Sequence, residues 1–151
     1  MTDKAVIRVL YIEDDPGLAR LLQRSLQRRG FAVDIATNGK DGLSMVEATP
    51  YSLVLVDYNM PNMDGMDVIR ALSAREDSPP TIMVTGEGNE TVAVEAFKLG
   101  AADYIVKDVD MRYLNLLPPV ADQVLLKQQL FREHRQMIEA VRESEERYRR
   151  F

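Results

Sequence analysis

The chain has 151 residues, which permits one domain with a substantial core and a further long element, but hardly two full domains. It contains no cysteine, so disulfides, thiolate metal sites and cysteine nucleophiles are excluded. The formal net charge of −5 argues against generic nucleic-acid binding, and no stretch approaches the roughly 18 apolar residues that cross a bilayer, so we expect a cytoplasmic protein that binds neither nucleic acid nor membrane.

Short apolar runs alternate with longer amphipathic segments over most of the chain, a pattern typical of repeated βα units. The sequence predicts strands at residues 9–12, 31–36, 53–56, 81–84 and 103–106, and helices at residues 16–29, 41–48, 65–74 and 89–99. The third strand is apolar without alternation, so helices must cover both of its faces. The predicted fold is therefore α/β, with a doubly wound five-stranded parallel sheet that ends near residue 117.

The remaining segment, residues 118–151, has a different character. It contains no glycine and is rich in strong helix formers, which predicts a long C-terminal helical extension. Pro118 and Pro119 each lack a backbone N–H, so we expect the fifth helix to kink or restart there.

This extension also carries a regular apolar spacing. Four apolar residues recur at intervals of seven, as a coiled-coil seam requires: Leu117, Val124, Phe131 and Ile138. Lys127 and His134 occupy companion positions and do not suit a core. Two interpretations stay open: a helix that pairs with a second copy of the chain, and one that folds back or stays exposed to solvent.

Four of the predicted strands end at polar residues of the types that phosphate chemistry uses. Those ends are Glu13-Asp14-Asp15, Asp57, Thr85 and Lys107. The carboxyl ends of parallel strands meet at one edge of a sheet, and open α/β sheets bind ligands there. Two carboxylates about 5 Å apart repel by roughly 3 kcal/mol at an effective dielectric near 20, so either some stay protonated or a cation lies among them. Oxygen ligands with no histidine or cysteine nearby favour Mg²⁺ or Mn²⁺.

A phosphoryl group would suit the same edge. Lys107 offers a compact positive charge and Thr85 a hydroxyl donor around a central carboxylate, which can itself be the nucleophile and form an acyl phosphate. Asp15 directly precedes Pro16, a favourable first helical residue, so we assign Asp15 as the cap of that helix.

Four segments together resemble the receiver domain of two-component response regulators: LYIEDDP at residues 10–16, VDYNMPNMDG at 56–65, VTG at 84–86 and GAADYIVK at 100–107. The similarity covers about residues 5–117 in the right order and spacing. It implies a flavodoxin-like strand order of 2-1-3-4-5 and a signalling protein rather than an enzyme.

The resemblance also implies how the acidic residues act. Asp57 would accept a phosphoryl group from a phosphohistidine on a sensor histidine kinase or phosphotransfer protein. Asp14, Asp57 and the backbone carbonyl of Asn59 would bind Mg²⁺, and Glu13 would act through a metal-bound water.

A second group of residues would respond to the phosphoryl group. The resemblance implies that Thr85 and Lys107 bind phosphoryl oxygens, and that Tyr104 swings inward when Thr85 moves. The face made by the fourth helix, fifth strand and fifth helix would then shift. We expect a homodimer through that face or through the C-terminal helix, controlling a downstream output.

Two other functions stay open. The domain could be a constitutive interaction module, or a phosphatase resembling haloacid dehalogenases, although those enzymes use a second acid where this chain has Asn59. Residues 143–151 resemble the lead-in to a PAS sensory domain. We therefore expect a receiver domain at residues 1–117 and a signalling helix at residues 118–151 that leads to a downstream domain.

Overall fold

The computed structural model describes residues 6–86 and 90–149, which form a five-stranded parallel sheet with helices on both faces. The strands are β1 (Arg8–Ile12), β2 (Ala32–Ala36), β3 (Leu53–Val56), β4 (Thr81–Thr85) and β5 (Asp103–Val106). The helices are α1 (Pro16–Gln27), α2 (Gly39–Ala48), α3 (Gly65–Ser73), α4 (Glu90–Leu99) and α5 (Tyr113–Arg149). The strand order is β2-β1-β3-β4-β5, so the predicted doubly wound fold and its order are confirmed. Within the described residues, no helix has both the length and the apolar composition needed to cross a membrane.

The sheet has two separate cores, one on each face, because successive side chains of a strand point to opposite sides. The first core lies under α1 and α5 and includes Val9, Leu55 and Leu117. The second lies under α2, α3 and α4 and includes Leu10, Val54 and Ile69. All four residues of β3 are buried, as predicted for a central strand that helices cover on both faces.

The strand register brings the carboxyl ends of the central strands level with one another. Ile12 pairs with Val56, and the Asp57 N–H donates to the Ile12 carbonyl at 3.0 Å. At the other side of the edge, the Lys107 N–H donates to the Thr85 carbonyl at 2.8 Å. These backbone bonds hold the residues that follow β1, β3 and β5 at one edge of the sheet.

Side-chain caps fix where two helices begin. The Asp15 carboxylate accepts from the backbone N–H groups of Gly17 and Leu18 at 2.9 and 3.1 Å, so its predicted capping role is confirmed. Asn38 caps α2 in the same way, accepting from the Asp41 N–H at 2.8 Å, and α2 therefore begins at Gly39 rather than at the predicted residue 41. The predicted first residue of the fourth helix, Asn89, lies outside the described residues.

Of the two outcomes expected at Pro118 and Pro119, a kink or a restart, the restart is wrong, because α5 is one continuous helix from Tyr113 to Arg149. Each proline inside the helix removes one backbone hydrogen bond, and its ring crowds the carbonyl group four residues earlier. Buried residues hold this part of α5 against the sheet and offset that loss: Tyr113, Leu117, Pro118, Ala121 and Val124. The expected domain boundary at residue 117 thus falls inside a helix.

Candidate functional site

The acidic residues predicted at the strand ends converge in one cluster. One carboxylate oxygen from each of Glu13, Asp14 and Asp57 lies within 4.8 Å of the other two. Glu13 and Asp57 are buried, at 1% and 6% exposure, whereas Asp14 is exposed. The cluster therefore has two buried carboxylates and one solvent-exposed carboxylate, and a small ion or group can enter from solvent at the exposed one.

Lys107 follows β5, and its side chain extends to the two buried carboxylates of this cluster, Glu13 and Asp57. Its ammonium Nζ donates to Glu13 Oε1 at 3.1 Å and lies 3.5 Å from Asp57 Oδ1. With all three carboxylates ionised, one ammonium leaves two negative charges uncompensated. That excess suits a divalent cation, and an all-oxygen donor set suits Mg²⁺ in particular.

The protonation equilibrium of Glu13 also favours a cation at this cluster. Burial raises the pKa of its carboxyl group, the hydrogen bond and the negative charge of Asp57 raise it further, and Lys107 only partly opposes the shift. Glu13 Oε2 is buried and has no hydrogen-bond partner. A cation at the cluster would lower the cost of ionising this carboxylate, so the residues present fit a metal site.

Asp57 is held in place by the loop that connects β3 to α3. Gly65, the first residue of α3, donates its N–H to the Tyr58 carbonyl at 3.0 Å. A Cβ at Gly65 would overlap the carbonyl oxygen of Asp57, so a larger residue would force the backbone of the acceptor to move. Asp64 caps α3 and exchanges hydrogen bonds with Asp67 in a capping box. Sequence reasoning used Gly65 only as a helix start and missed this close approach.

Thr85 and Tyr104, the predicted switch residues, lie on the two neighbouring strands. Thr85 ends β4 and is fully buried, and its carbonyl accepts from the Lys107 N–H. Tyr104 on β5 is half-buried and packs against the core under α2, α3 and α4. The fold thus places Thr85 beside Lys107, and it places Tyr104 on the opposite core from α5.

Asn59, the remaining residue of the predicted set, lies at the edge of the site, and the single histidine of the chain lies away from it. Asn59 follows Asp57 by two positions and is exposed in the β3–α3 loop. His134 is exposed on the distal part of α5, so it does not contribute to this cluster.

Comparison with known proteins identifies the family. The response regulator receiver domain model matches residues 9–117. The acid tolerance regulatory protein ActR of Rhizobium meliloti (strain 1021) is 38% identical over 102 residues, which are 68% of this chain and 53% of ActR. The regulatory protein AtoC of Escherichia coli (strain K12) is 31% identical over 137 residues, which are 91% of this chain and 29% of AtoC. The chain thus spans about half the length of one relative and less than a third of the other.

A solved structure agrees with this assignment. The Vibrio cholerae chemotaxis protein CheY4, in a crystal grown at low pH, superposes with a TM-score of 0.68 and 25% sequence identity, covering 77% of this chain and 99% of CheY4. The chain therefore belongs to the response regulator receiver domain family.

Proposed function

We propose that Asp57 accepts a phosphoryl group from a phosphohistidine on a sensor histidine kinase or phosphotransfer protein. The observation that carries this proposal is a buried carboxylate, Asp57, flanked by two further carboxylates and by the Lys107 ammonium at the carboxyl edge of the sheet. An Asp57 carboxylate oxygen forms a new bond to phosphorus while the N–P bond of the phosphohistidine breaks. The imidazole leaves with the electron pair and takes up a proton, and the product is an acyl phosphate.

Receiver domains bind Mg²⁺ at an acidic pocket, and the cluster described above has the donors for it. In this proposal Asp14, Asp57 and the backbone carbonyl of Asn59 hold the ion, and Glu13 acts through a bound water. When bound, Mg²⁺ neutralises negative charge on the transferring phosphoryl oxygens.

Phosphorylation of Asp57 changes the charge of the group that lies next to Lys107 and Thr85. The acyl phosphate carries more negative charge than the free carboxylate and has three acceptor oxygens. Lys107, already 3.5 Å from Asp57 Oδ1, is drawn toward it, and the Thr85 hydroxyl binds another oxygen. Because the Lys107 N–H is bonded to the Thr85 carbonyl, the ends of β4 and β5 respond together, and Tyr104 moves inward.

The output of this change is carried by the distal part of α5. Of the four residues spaced by seven, Leu117 and Val124 pack against the sheet of their own domain, whereas Phe131 and Ile138 are 58% and 55% exposed. Leu130, Met137 and Val141 are exposed as well. We therefore place a coiled-coil contact with a second copy of the chain in the segment from Leu130 to Val141, which is part of a signalling helix that leads to a downstream domain.

The proposal is tested by incubating the chain with acetyl phosphate and Mg²⁺ and measuring phosphoryl gain by intact-mass spectrometry. The wild-type chain is expected to gain one phosphoryl group, and Asp57→Asn to gain none. The matched control is Asp15→Asn, which replaces a nearby acid but keeps a good helix cap, and it should be labelled like the wild type. Undiminished labelling of Asp57→Asn would overturn the assignment.

A further inference from the structure

A cleft of about 850 Å³ separates the distal part of α5 from the loops at the amino edge of the sheet. One wall is formed by α5 between Leu125 and Gln136, and the other by the loop between α3 and β4, residues 75–79. Ile7 and Ser52, which precede β1 and β3, also line the cleft. The acidic cluster lies at the carboxyl edge, so this cleft is at the opposite edge of the sheet.

The two walls of the cleft meet at Leu125. Leu125 and Ile7 both line the cleft, and both pack against the core under α1 and α5. Gln136 lies about 16 Å further along α5, at 1.5 Å per residue, and is exposed. A small tilt of the distal part of α5 about Leu125 would therefore widen or narrow the cleft at Gln136.

Opposite charges face each other across this cleft. Glu76 and Asp77 lie on the loop, Arg132 lies on α5, and all three are exposed. Within the described residues, none of these three has an ion-pair partner, and no ion pair joins α5 to the loop. The cation of the loop, Arg75, is already paired with Glu47 at 2.7 Å. The two acids thus give the loop wall an unpaired negative charge opposite Arg132.

An unpaired buried hydroxyl adjoins the same cleft. Thr81 is 3% exposed, and its Oγ1 has no hydrogen-bond partner within the described residues. Thr81 lines a cavity of about 200 Å³, and Gln128 is the α5 residue that lines this cavity as well as the cleft. A buried hydroxyl without a partner is unfavourable, and a glutamine amide can both donate to it and accept from it.

The cleft lies on the other side of α5 from the apolar surface that we assign to pairing with a second copy. Gln128, Arg132 and Gln136 are spaced by four and share one face of the helix. Leu130 and Val141 lie about half a turn away from Arg132, at roughly 100° per residue. Closing the cleft would therefore leave the apolar surface accessible.

We propose that the distal part of α5 closes onto the amino edge of its own domain in one of two states. In the closed state Arg132 pairs with Glu76 and Asp77, and Gln128 forms a hydrogen bond with Thr81. Exposed ion pairs stabilise weakly, so the two states are close in free energy and small changes shift their populations. This equilibrium sets the angle at which α5 leaves the domain, and it involves neither Asp57 nor a metal ion.

The proposal is tested in the full chain by measuring the distance between two spin labels. The chain has no cysteine, so the labels are attached at Ala74→Cys and Ala140→Cys, two exposed positions that do not line the cleft. Dilution with unlabelled chain restricts double electron–electron resonance to distances within one chain. Two populations are expected at low salt, and the shorter distance is the closed state. Arg132→Glu should lower the closed-to-open ratio about tenfold, and about 1 M NaCl should also lower it.

The matched control is Arg135→Glu, which makes the same charge change on the next turn but does not line the cleft. It should leave the ratio within about twofold of the wild type. Adding Glu76→Arg and Asp77→Asn to Arg132→Glu should restore the closed state, since asparagine tolerates the φ of +58° at residue 77.

The hydrogen bond is tested with Thr81→Val and Gln128→Ala. Each is expected to lower the closed-to-open ratio about threefold, and the double variant should show no further loss. Additive losses would overturn this hydrogen bond. A single distance that neither Arg132→Glu nor salt changes, equal effects of Arg132→Glu and Arg135→Glu, or a failed rescue would overturn the closed state. Failure of phosphoryl uptake at Asp57 would leave all of these results unchanged, so the two proposals fail separately.

Discussion

The start of α5, from Tyr113 to Val124, and the longer part beyond Val124 are both helical, but their side chains lie in opposite environments. From Tyr113 to Val124 the helix contributes four buried residues to the core under α1 and α5. Beyond Val124, seven large apolar residues are each more than half exposed: Leu126, Leu130, Phe131, Met137, Ile138, Val141 and Tyr148. The start of α5 thus belongs to the body of the receiver domain, and we call the exposed part of α5 from Leu126 onward the arm. The comparison teaches that one continuous helix can be part of the folded body at its start and carry exposed apolar residues along the rest of its length.

The largest difference between the start of α5 and the arm is expected in folding stability. Leu117→Ala removes a side chain that is 1% exposed, and it should lower the free energy of unfolding by about 2–5 kcal/mol. The matched change in the arm, Ile138→Ala, should cost less than about 1 kcal/mol at protein concentrations where the chain is monomeric. Urea unfolding followed by circular dichroism measures both. Equal losses would mean that the arm is part of the folded body.

Within the body of the domain, alanine substitutions at two glycines are expected to have different effects on phosphoryl uptake, because only one of these glycines contacts the backbone of Asp57. Gly65→Ala meets the backbone of Asp57, and we expect a loss of about 1–3 kcal/mol and roughly tenfold slower phosphoryl uptake. Gly42→Ala meets the flexible end of the Ile12 side chain instead, so its uptake should stay close to that of the wild type. Equally slowed uptake in both variants, or wild-type uptake in both, would show that Gly65 does not position the acceptor.

The arm is expected to control association. Phe131→Glu places a charge in the exposed apolar surface of the arm and should raise the dimer dissociation constant about tenfold or more, while the unfolding free energy of the body stays unchanged. Glu139→Ala, at an exposed polar position of the same segment, is the control and should leave association unchanged. Sedimentation equilibrium measures the dissociation constant. A dimer that tolerates Phe131→Glu would place the contact elsewhere.

The smallest effect is expected at the junction of loop and helix. Asp108→Ala removes the acceptor for the Tyr113 N–H and should destabilise the start of α5 by about 1 kcal/mol. Asp110→Ala, at an exposed position in the same connection, should have an effect within about 0.5 kcal/mol. Thermal unfolding compares the two. A larger loss from Asp110→Ala would mean that Asp108 is not what fixes the helix start.

The sequence could predict much of the fold because strand length, apolar content and parallel topology are local or nearly local properties. The apolar strands that precede Glu13, Asp14, Asp57 and Lys107 predict that these residues lie at one edge of the sheet. In the structure, carboxylate oxygens of Glu13, Asp14 and Asp57 lie within 4.8 Å of one another, and the Lys107 ammonium lies 3.1 Å from Glu13. The sequence-based assignment of Asp15 as a cap rests on the same local logic and is confirmed.

Other features depend on packing that no local pattern reports. The two prolines in α5 predict a kink or a restart by propensity, but there is no restart, because the buried residues around Pro118 keep the helix continuous. The spacing of seven predicts one continuous coiled-coil seam. In the structure, Leu117 and Val124 pack on the sheet, and Phe131 and Ile138 are exposed. The buried hydroxyls of Tyr11 and Tyr113 look like ordinary core aromatics in the sequence, since only the fold shows that they lack partners.

The most direct test of the central claim is to map which residue carries the phosphoryl group. The chain is treated with acetyl phosphate and Mg²⁺, the acyl phosphate is trapped by borohydride reduction, and the reduced residue is located by peptide mass spectrometry. The account predicts a single modified residue, Asp57, and no modification when Mg²⁺ is removed by a chelator. Modification at Asp14 or Asp15, or no modification of the wild-type chain, would contradict it.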